Sequence, residues 1–239
     1  MIRAICFDLD GTLLPVHSAF YDEHYIPCLA RAIPGQDPRR VAQAVLDTMR
    51  GIMRENQPGV TVERRFAQGL AERLGMPFDQ QETHYMRYYI EQFPRLAEKV
   101  TPRPQVAAAV RAARAKGIRT VLATNPVIPG VATLERLRWA GVQPEDFEFI
   151  TLYESCCYTK PHVAYFIHEV LAPLALPPQD VLMVGNDPKE DIAPAHTLGM
   201  ETFFLNVYPE HLDSVPPCWD AQGDYDDMLA MVERLPGIS

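Results

Sequence analysis

One early strand stands apart from all the others. Residues 4–7 form a short apolar run that reads as a buried strand, and the next comparable run comes only at residues 118–123. The stretch between, from about residue 19 to residue 93, has the texture of helices. Beyond residue 101, short apolar runs alternate with amphipathic segments. Alternation of that kind builds a parallel sheet covered by helices on both faces. The first strand must therefore join a sheet whose other members all follow the helical stretch. The expected fold is α/β: a doubly wound, Rossmann-like parallel-sheet core of residues 1–15 and 101–239, with an all-helical cap domain, residues 16–100, inserted after the first strand. Linkers at residues 15–18 and 100–104 would then meet at the sheet edge as a hinge, with the cap as a lid over the first strand's end.

Local signals support the inserted helices. Asp37 and Pro38 make an N-cap and first-turn pair, and Val41, Val45, Met49, Ile52 and Met53 share one face. Val62, Phe66, Leu70 and Leu74 recur at every fourth position between Thr61 and Gly75. Asp79 and Glu82 have the spacing of a capping box ahead of Tyr85, Tyr88, Tyr89 and Phe93. Pro27 interrupts residues 20–33. In the core, helices are expected over 105–116, 131–140, 161–174, 189–198 and 225–235. Strands are expected over 118–123, 147–152, 181–184 and 202–205, and Pro194 predicts a kink.

Chemistry gathers where these strands end. The first runs into Asp8-Leu9-Asp10-Gly11-Thr12, and in extended chain its two carboxylates face the same side. Two acids so close repel each other unless a cation sits between them. Gly11 permits a sharp turn and a close backbone approach. The same residues also occur in ordinary turns and calcium loops. Thr124 and Asn125 can donate to phosphate oxygens, or simply satisfy their own turn. Lys160 precedes a helix expected to open at Pro161, a position that disfavours a cation unless an anion is near. Asp187 and Asp191 lie four apart, on one helical face. Acids suit a helix N-terminus in any case, and as oxygen donors they also suit magnesium. Each signal is weak alone. All four fall in segments that follow core strands, and a parallel sheet brings such segments to one edge.

Together, Asp8-Leu9-Asp10-Gly11-Thr12-Leu13, Thr124-Asn125, Lys160-Pro161 and Gly185-Asn186-Asp187 through Asp191 resemble the haloacid dehalogenase superfamily, in the subgroup with a helical cap after the first motif. The resemblance implies a Mg2+-dependent phosphatase that hydrolyses a small phosphate monoester through an aspartyl phosphate. Asp8 would be the nucleophile and Asp10 the general acid, then base. Thr124, Asn125 and Lys160 would bind the phosphoryl group, with Thr124 and Lys160 stabilising its charge. Asp8, Asp10, Asp187 and Asp191 would serve the metal. One departure stands out: Asn186 separates Gly185 from Asp187, where family members commonly have the first acid directly after the glycine. The spacing to Asp191 favours Asp187 as the ligand. The alternatives are a phosphoglucomutase-type transfer, or a silent small-molecule-binding protein on the same fold. Dehalogenases match poorly, because they lack the acid that Asp10 supplies. Substrate choice should lie in the cap, where His17 and Tyr21, beside the hinge, are better candidates than Arg64, Arg65 or the tyrosine cluster, which reads as core.

Composition narrows the partners. A net charge of −9 over 239 residues argues against a nucleic-acid surface or an anionic membrane, and does not exclude the small phosphorylated metabolite that the resemblance implies as partner. No stretch approaches the roughly 20 apolar residues of a membrane span. The chain opens on a strand rather than a leader, so a cytoplasmic location is expected. The five cysteines show no C-x-x-C spacing, and Cys156-Cys157 reads as two reduced thiols in a loop.

Overall fold

The computed structural model describes residues 1–238. Strand β1 (Ala4–Phe7) is followed by a π-helical turn (Tyr21–Tyr25) and helices α1 (Ile26–Arg31), α2 (Pro38–Arg54), α3 (Val62–Leu74) and α4 (Asp79–Glu91). A 3-10 turn (Phe93–Lys99) leads to α5 (Pro104–Ala115), β2 (Arg119–Leu122), α6 (Gly130–Trp139) and β3 (Phe149–Ile150). The helix expected from residue 161 begins at α7 (Val163–Tyr165), widens to a π-helix (Phe166–Leu171) and closes as α8 (Ala172–Leu174). Then come β4 (Val181–Gly185), a π-helical turn (Pro188–Ile192), α9 (Ala193–Thr197), β5 (Glu201–Leu205), β6 (Ala221–Gly223) and α10 (Tyr225–Arg234). Pro194, where a kink is expected, falls in the first turn of α9, directly after the π-helical turn ends at Ile192. Proline has no N–H for the helical ladder, so the winding changes beside it.

The sheet is parallel throughout, in the order β3-β2-β1-β4-β5-β6. Strand order reverses on either side of β1, and a crevice opens there beyond the strands' C-terminal ends. Side chains alternate across the sheet with period two. Ile5, Phe7, Leu122, Leu182 and Val184 join one apolar cluster, while Ala4, Cys6, Val121, Ala123 and Met183 join another on the opposite face. The expected doubly wound core and helical cap are both present.

The inserted helices share the first cluster with the sheet. Val41, Phe66, Leu70, Tyr85, Tyr88, Tyr89 and Phe93 are all buried, so the tyrosines at helical spacing are core. Phe93 lies 4.8 Å, centroid to centroid, from Trp139 of α6. The amide N–H groups of Val62 and Glu63 donate to the carbonyls of Cys156 and Tyr153, tying the start of α3 to the loop that carries Lys160. Thr61 caps α3 as its sequence predicts, and Gly75 ends it in the left-handed region. The expected Asp79–Glu82 capping box does not form. Phe78 is already helical (φ −65°, ψ −36°), so Asp79 sits inside the first turn, where its side chain cannot cap. All five cysteines are free, and burial pushes the Cys156 thiol well above its usual range. Among the described residues no helix is long and apolar enough to cross a membrane.

Candidate active site

β1 delivers its two aspartates to different partners. The Asp8 N–H still donates to Val184 of β4, at 2.9 Å. The chain then turns tightly, with Gly11 N–H on the Leu14 carbonyl and Leu14 N–H on that of Leu9. Gly11 has φ +84°, and a Cβ there would lie 2.2 Å from Asn186 Nδ2. Gly11→Ala therefore combines left-handed strain with a steric clash and is expected to cost about 2–4 kcal/mol in urea unfolding. A loss under about 1 kcal/mol would contradict this packing.

Asp8 faces Lys160. The ammonium, 1% exposed, lies 2.8 Å from Asp8 Oδ1 and 2.5 Å from Asp191 Oδ1. The other Asp191 oxygen accepts the Asp187 N–H at 3.1 Å. Burial opposes the lysine's charge, but Asp191 and Asp8 more than reverse that and hold it well above the usual lysine range. One ammonium cannot fully offset two buried carboxylates. Burial therefore leaves both Asp8 and Asp191 raised despite the Lys160 charge. Lys160 does not oppose a helix N-terminus, because α7 starts only at Val163. Its carboxylate partners account for its burial.

Asp10 turns the other way. One carboxylate oxygen accepts from Arg136 of α6 and the other from the Tyr21 hydroxyl. Arg136 is 1% exposed and is also fixed by Thr133 Oγ1 at 3.1 Å and the Ala132 carbonyl at 3.3 Å. Sequence reasoning missed this arginine. An isolated helical arginine is usually solvated, and only the folding of α6 against β1 brings it to Asp10. Burial first, and the Asp10 charge second, push the Tyr21 hydroxyl up, so it stays a donor.

The last motif separates its residues. Asn186 accepts from the Thr12 hydroxyl at 3.1 Å and donates to the Tyr208 carbonyl at 2.6 Å, packed behind Gly11. Asp187 Oδ1 caps the following helical turn through the N–H groups of Lys189 and Glu190. Its Oδ2 lies 2.7 Å from His211 Nδ1. Asp187, Glu190 and His211 bring one ligand atom each within 4.8 Å of one another. Asn125 Nδ2 donates to Glu190 Oε2 at 3.0 Å, and its buried Oδ1 has no partner. Burial, then the neighbouring Asp187 charge, raises the Glu190 carboxyl. Glu190 lies within the last motif, where sequence reasoning names only Asp187 and Asp191. His211 lies in the loop after β5, where no strand-end pattern marks it.

A cavity of about 330 Å³ opens between these core loops and the inserted helices. Asp10, Asn125, Asp187, Glu190 and His211 line its core side, and Tyr21 reaches it from the insert. Asp8, Thr124, Lys160 and Asp191 are buried and form no part of its wall as described. The Thr124 carbonyl accepts from Thr151 Oγ1 and the Tyr165 hydroxyl. Of the two substrate-side candidates beside the first linker, only Tyr21 lines the cavity. His17 is exposed, meets Tyr208 edge-on at 4.7 Å and does not line the cavity. Arg65 is tied to backbone carbonyls of Ile52 and Glu55 within the insert.

A family model for haloacid dehalogenase-like hydrolases matches residues 2–199. The chain belongs to that family. It is thus a haloacid dehalogenase-like hydrolase by sequence, and the fold agrees. A predicted phosphoglycolate phosphatase from Haemophilus somnus is 22% identical, with 96% of this chain and 97% of that chain covered at a TM-score of 0.56. CbbY from Rhodobacter sphaeroides, solved with phosphate, is 18% identical over 95% and 96%, at 0.60. An L-2-haloacid dehalogenase from Xanthobacter autotrophicus is 16% identical over 98% and 100%, also at 0.60. At these identities the likeness is one of fold. No curated protein matches the chain. Members of this hydrolase family generally use Mg2+, and the acids of the last motif supply a buried oxygen-rich group at the site.

Proposed function

We propose that this hydrolase is a Mg2+-dependent phosphatase acting on a small phosphate monoester through an aspartyl phosphate. The observation that carries the reading is the charge of the cavity's core side. Asp10, Asp187 and Glu190 line it, and among the described residues no lysine or arginine does. A 2-haloacid would set its carboxylate against these three acids, with Lys160 and Arg136 already committed to Asp8, Asp191 and Asp10. Anionic substrate and carboxylate wall are compatible when a hard cation lies between them. One neighbour is named a predicted phosphoglycolate phosphatase and another was solved with phosphate, while others are named dehalogenases, so the cavity's charge and not the neighbours decides between them.

The residues present fit magnesium. The donors are oxygens, the Asp10 carbonyl accepts no backbone hydrogen bond among the described residues, and Asn125 Oδ1 is buried and unpaired. Asp8, the Asp10 carbonyl and Asp187 would hold the ion, with Asp191 fixing Lys160 and the Asp187 N–H beside them. When bound, the ion offsets the repulsion between nucleophile and phosphate. Asp8 then attacks phosphorus, forming its O–P bond as the ester P–O bond breaks. Asp10 gives a proton to the departing oxygen and recovers one from the water that cleaves the aspartyl phosphate. In this structure Arg136 and Tyr21 occupy both Asp10 oxygens, so one of the two contacts gives way when Asp10 takes up the proton it delivers. Lys160 orients Asp8, and the Thr124 hydroxyl is the further donor to phosphoryl oxygen.

Hydrolysis of a generic aryl phosphate in Mg2+ and in EDTA tests the reading, and turnover is expected only with the ion. Asp187→Asn is expected to raise the Mg2+ needed for half-maximal rate at least about tenfold. Asn186→Ala, which changes a side chain packed behind Gly11, should leave that requirement within about twofold. The reverse ranking would assign the ligand to Asn186.

A further inference from the structure

The cap-side wall of the cavity carries information that the chemistry above does not use. Ile26, Leu46, Met49 and Met53 from α1 and α2 face Val127 and Ile128 from the loop after β2. No lysine or arginine lines the cavity from either side among the described residues. Apart from the hydroxyls of Tyr21 and Tyr25, the titratable groups around it are Asp10, Asp22, Asp187, Glu190, Glu210 and His211. Five of these six are carboxylates, and the sixth, His211, is already on Asp187. Glu210 is engaged too, accepting the Ser18 N–H at 3.0 Å.

From this wall we infer the substrate class: a phosphate monoester whose leaving group is apolar and carries no second anion. The inference rests on the phosphatase reading. On the phosphatase reading the phosphoryl group lies at the end of β1, against Asp8 and the ion. Whatever leaves with the ester oxygen lies among Met49, Met53, Leu46 and Ile26, where a carboxylate or second phosphate finds no counter-ion and meets acids instead. The two methionines suit a pocket that adapts to alkyl or aryl shapes. A cavity of about 330 Å³ lies at the small end of ligand sites, which run from roughly 300 to 1,000 Å³, so the leaving group is small as well. Substrates such as the glycolate phosphate named for one structural neighbour, with a carboxylate beside the phosphoryl group, fit this wall poorly.

The test is a series on the full chain with saturating Mg2+. kcat/KM is measured for n-alkyl phosphates from ethyl to hexyl, for the ω-carboxylate analogue of each, and for 2-phosphoglycolate. In the alkyl series it is expected to rise about fourfold per methylene until the cavity is full, the factor that about 0.8 kcal/mol per buried CH2 gives. An ω-carboxylate is expected to cost at least about 100-fold. Met49→Lys, which places a cation on the cap-side wall, should shrink that penalty at least about tenfold while weakening the alkyl series. A flat alkyl series, or carboxylated esters turned over as well as alkyl ones, would overturn the inference and leave the phosphatase reading standing. Failure of every ester to release phosphate, with Mg2+ present and the chain folded, would remove the phosphatase reading and this inference with it.

Discussion

Lys160→Met should lower stability by about 3–5 kcal/mol and stop turnover. The lysine is 1% exposed and is the shared counter-ion of Asp8 and Asp191, whose side chains are 11% and 2% exposed. Methionine fills similar space but leaves two buried carboxylates facing each other with no cation, the arrangement that costs most in a protein interior. The pH dependence separates this cause from simple loss of packing. Burial already holds both carboxyls above their ordinary value, so the folded state takes up protons that the unfolded chain does not. Where the folded state binds more protons, stability rises as pH falls, here from the raised folded values down towards the ordinary carboxylate range of about 4. Without Lys160 the carboxyls rise further and the dependence steepens. Urea unfolding of both proteins in EDTA is therefore expected to show a gap at pH 7.5 that narrows at pH 5. A gap of the same size at both values would mean that packing, not charge, was lost.

What was legible beforehand follows from what each signal depends on. The strands β1, β2, β4 and β5 are runs buried on both faces, so they stand out as apolar stretches. β6 does not, because two of its three residues are exposed. Its place at the sheet edge comes from pairing with β5, which no periodicity records. β3 shrinks to Phe149 and Ile150 for a related reason: it pairs on one side only, and both residues are half-buried. Site residues divide in the same way. Asp8, Asp10, Asn125, Lys160 and Asp187 follow core strands, and the parallel sheet gathers them. Arg136 lies mid-helix on α6, and His211 lies in a loop with φ +44°, a conformation that sequence does not announce. Tertiary contact alone brings them to the carboxylates. The structure separates Asn186 and Asp187 by direction: Asp187 is extended at the helix N-cap and lines the cavity, while Asn186 accepts from Thr12, and the metal titration of the two variants assigns the ligand.

Asp8→Asn is expected to do two opposite things at once, abolishing turnover and stabilising the fold. The amide keeps the size of the carboxylate and its oxygen acceptor for the Lys160 ammonium at 2.8 Å, while removing a charge that burial, Asp191 and Asp10 all oppose. Lys160 and Asp191 then remain as a neutral-overall pair instead of one cation between two anions. The gain should be about 1–2 kcal/mol in metal-free buffer. For a chain of this size that corresponds to a rise in melting temperature of about 2–8 °C. The rate should fall by at least about 10⁴-fold, because an amide neither attacks phosphorus nor forms the aspartyl phosphate. Adding Mg2+ should reverse the order of the melting temperatures. On the proposed ligand set the wild-type site would be stabilised by about 2.7 kcal/mol at a hundred times Kd, while the variant would lack one ligand and gain less. The crossing of the two melting curves between EDTA and Mg2+ is the signature of a nucleophile held at the cost of stability. A variant that melts lower than wild type in EDTA would show that Asp8 is satisfied by Lys160 alone, and that the ion is not needed to balance the carboxylates at the end of β1.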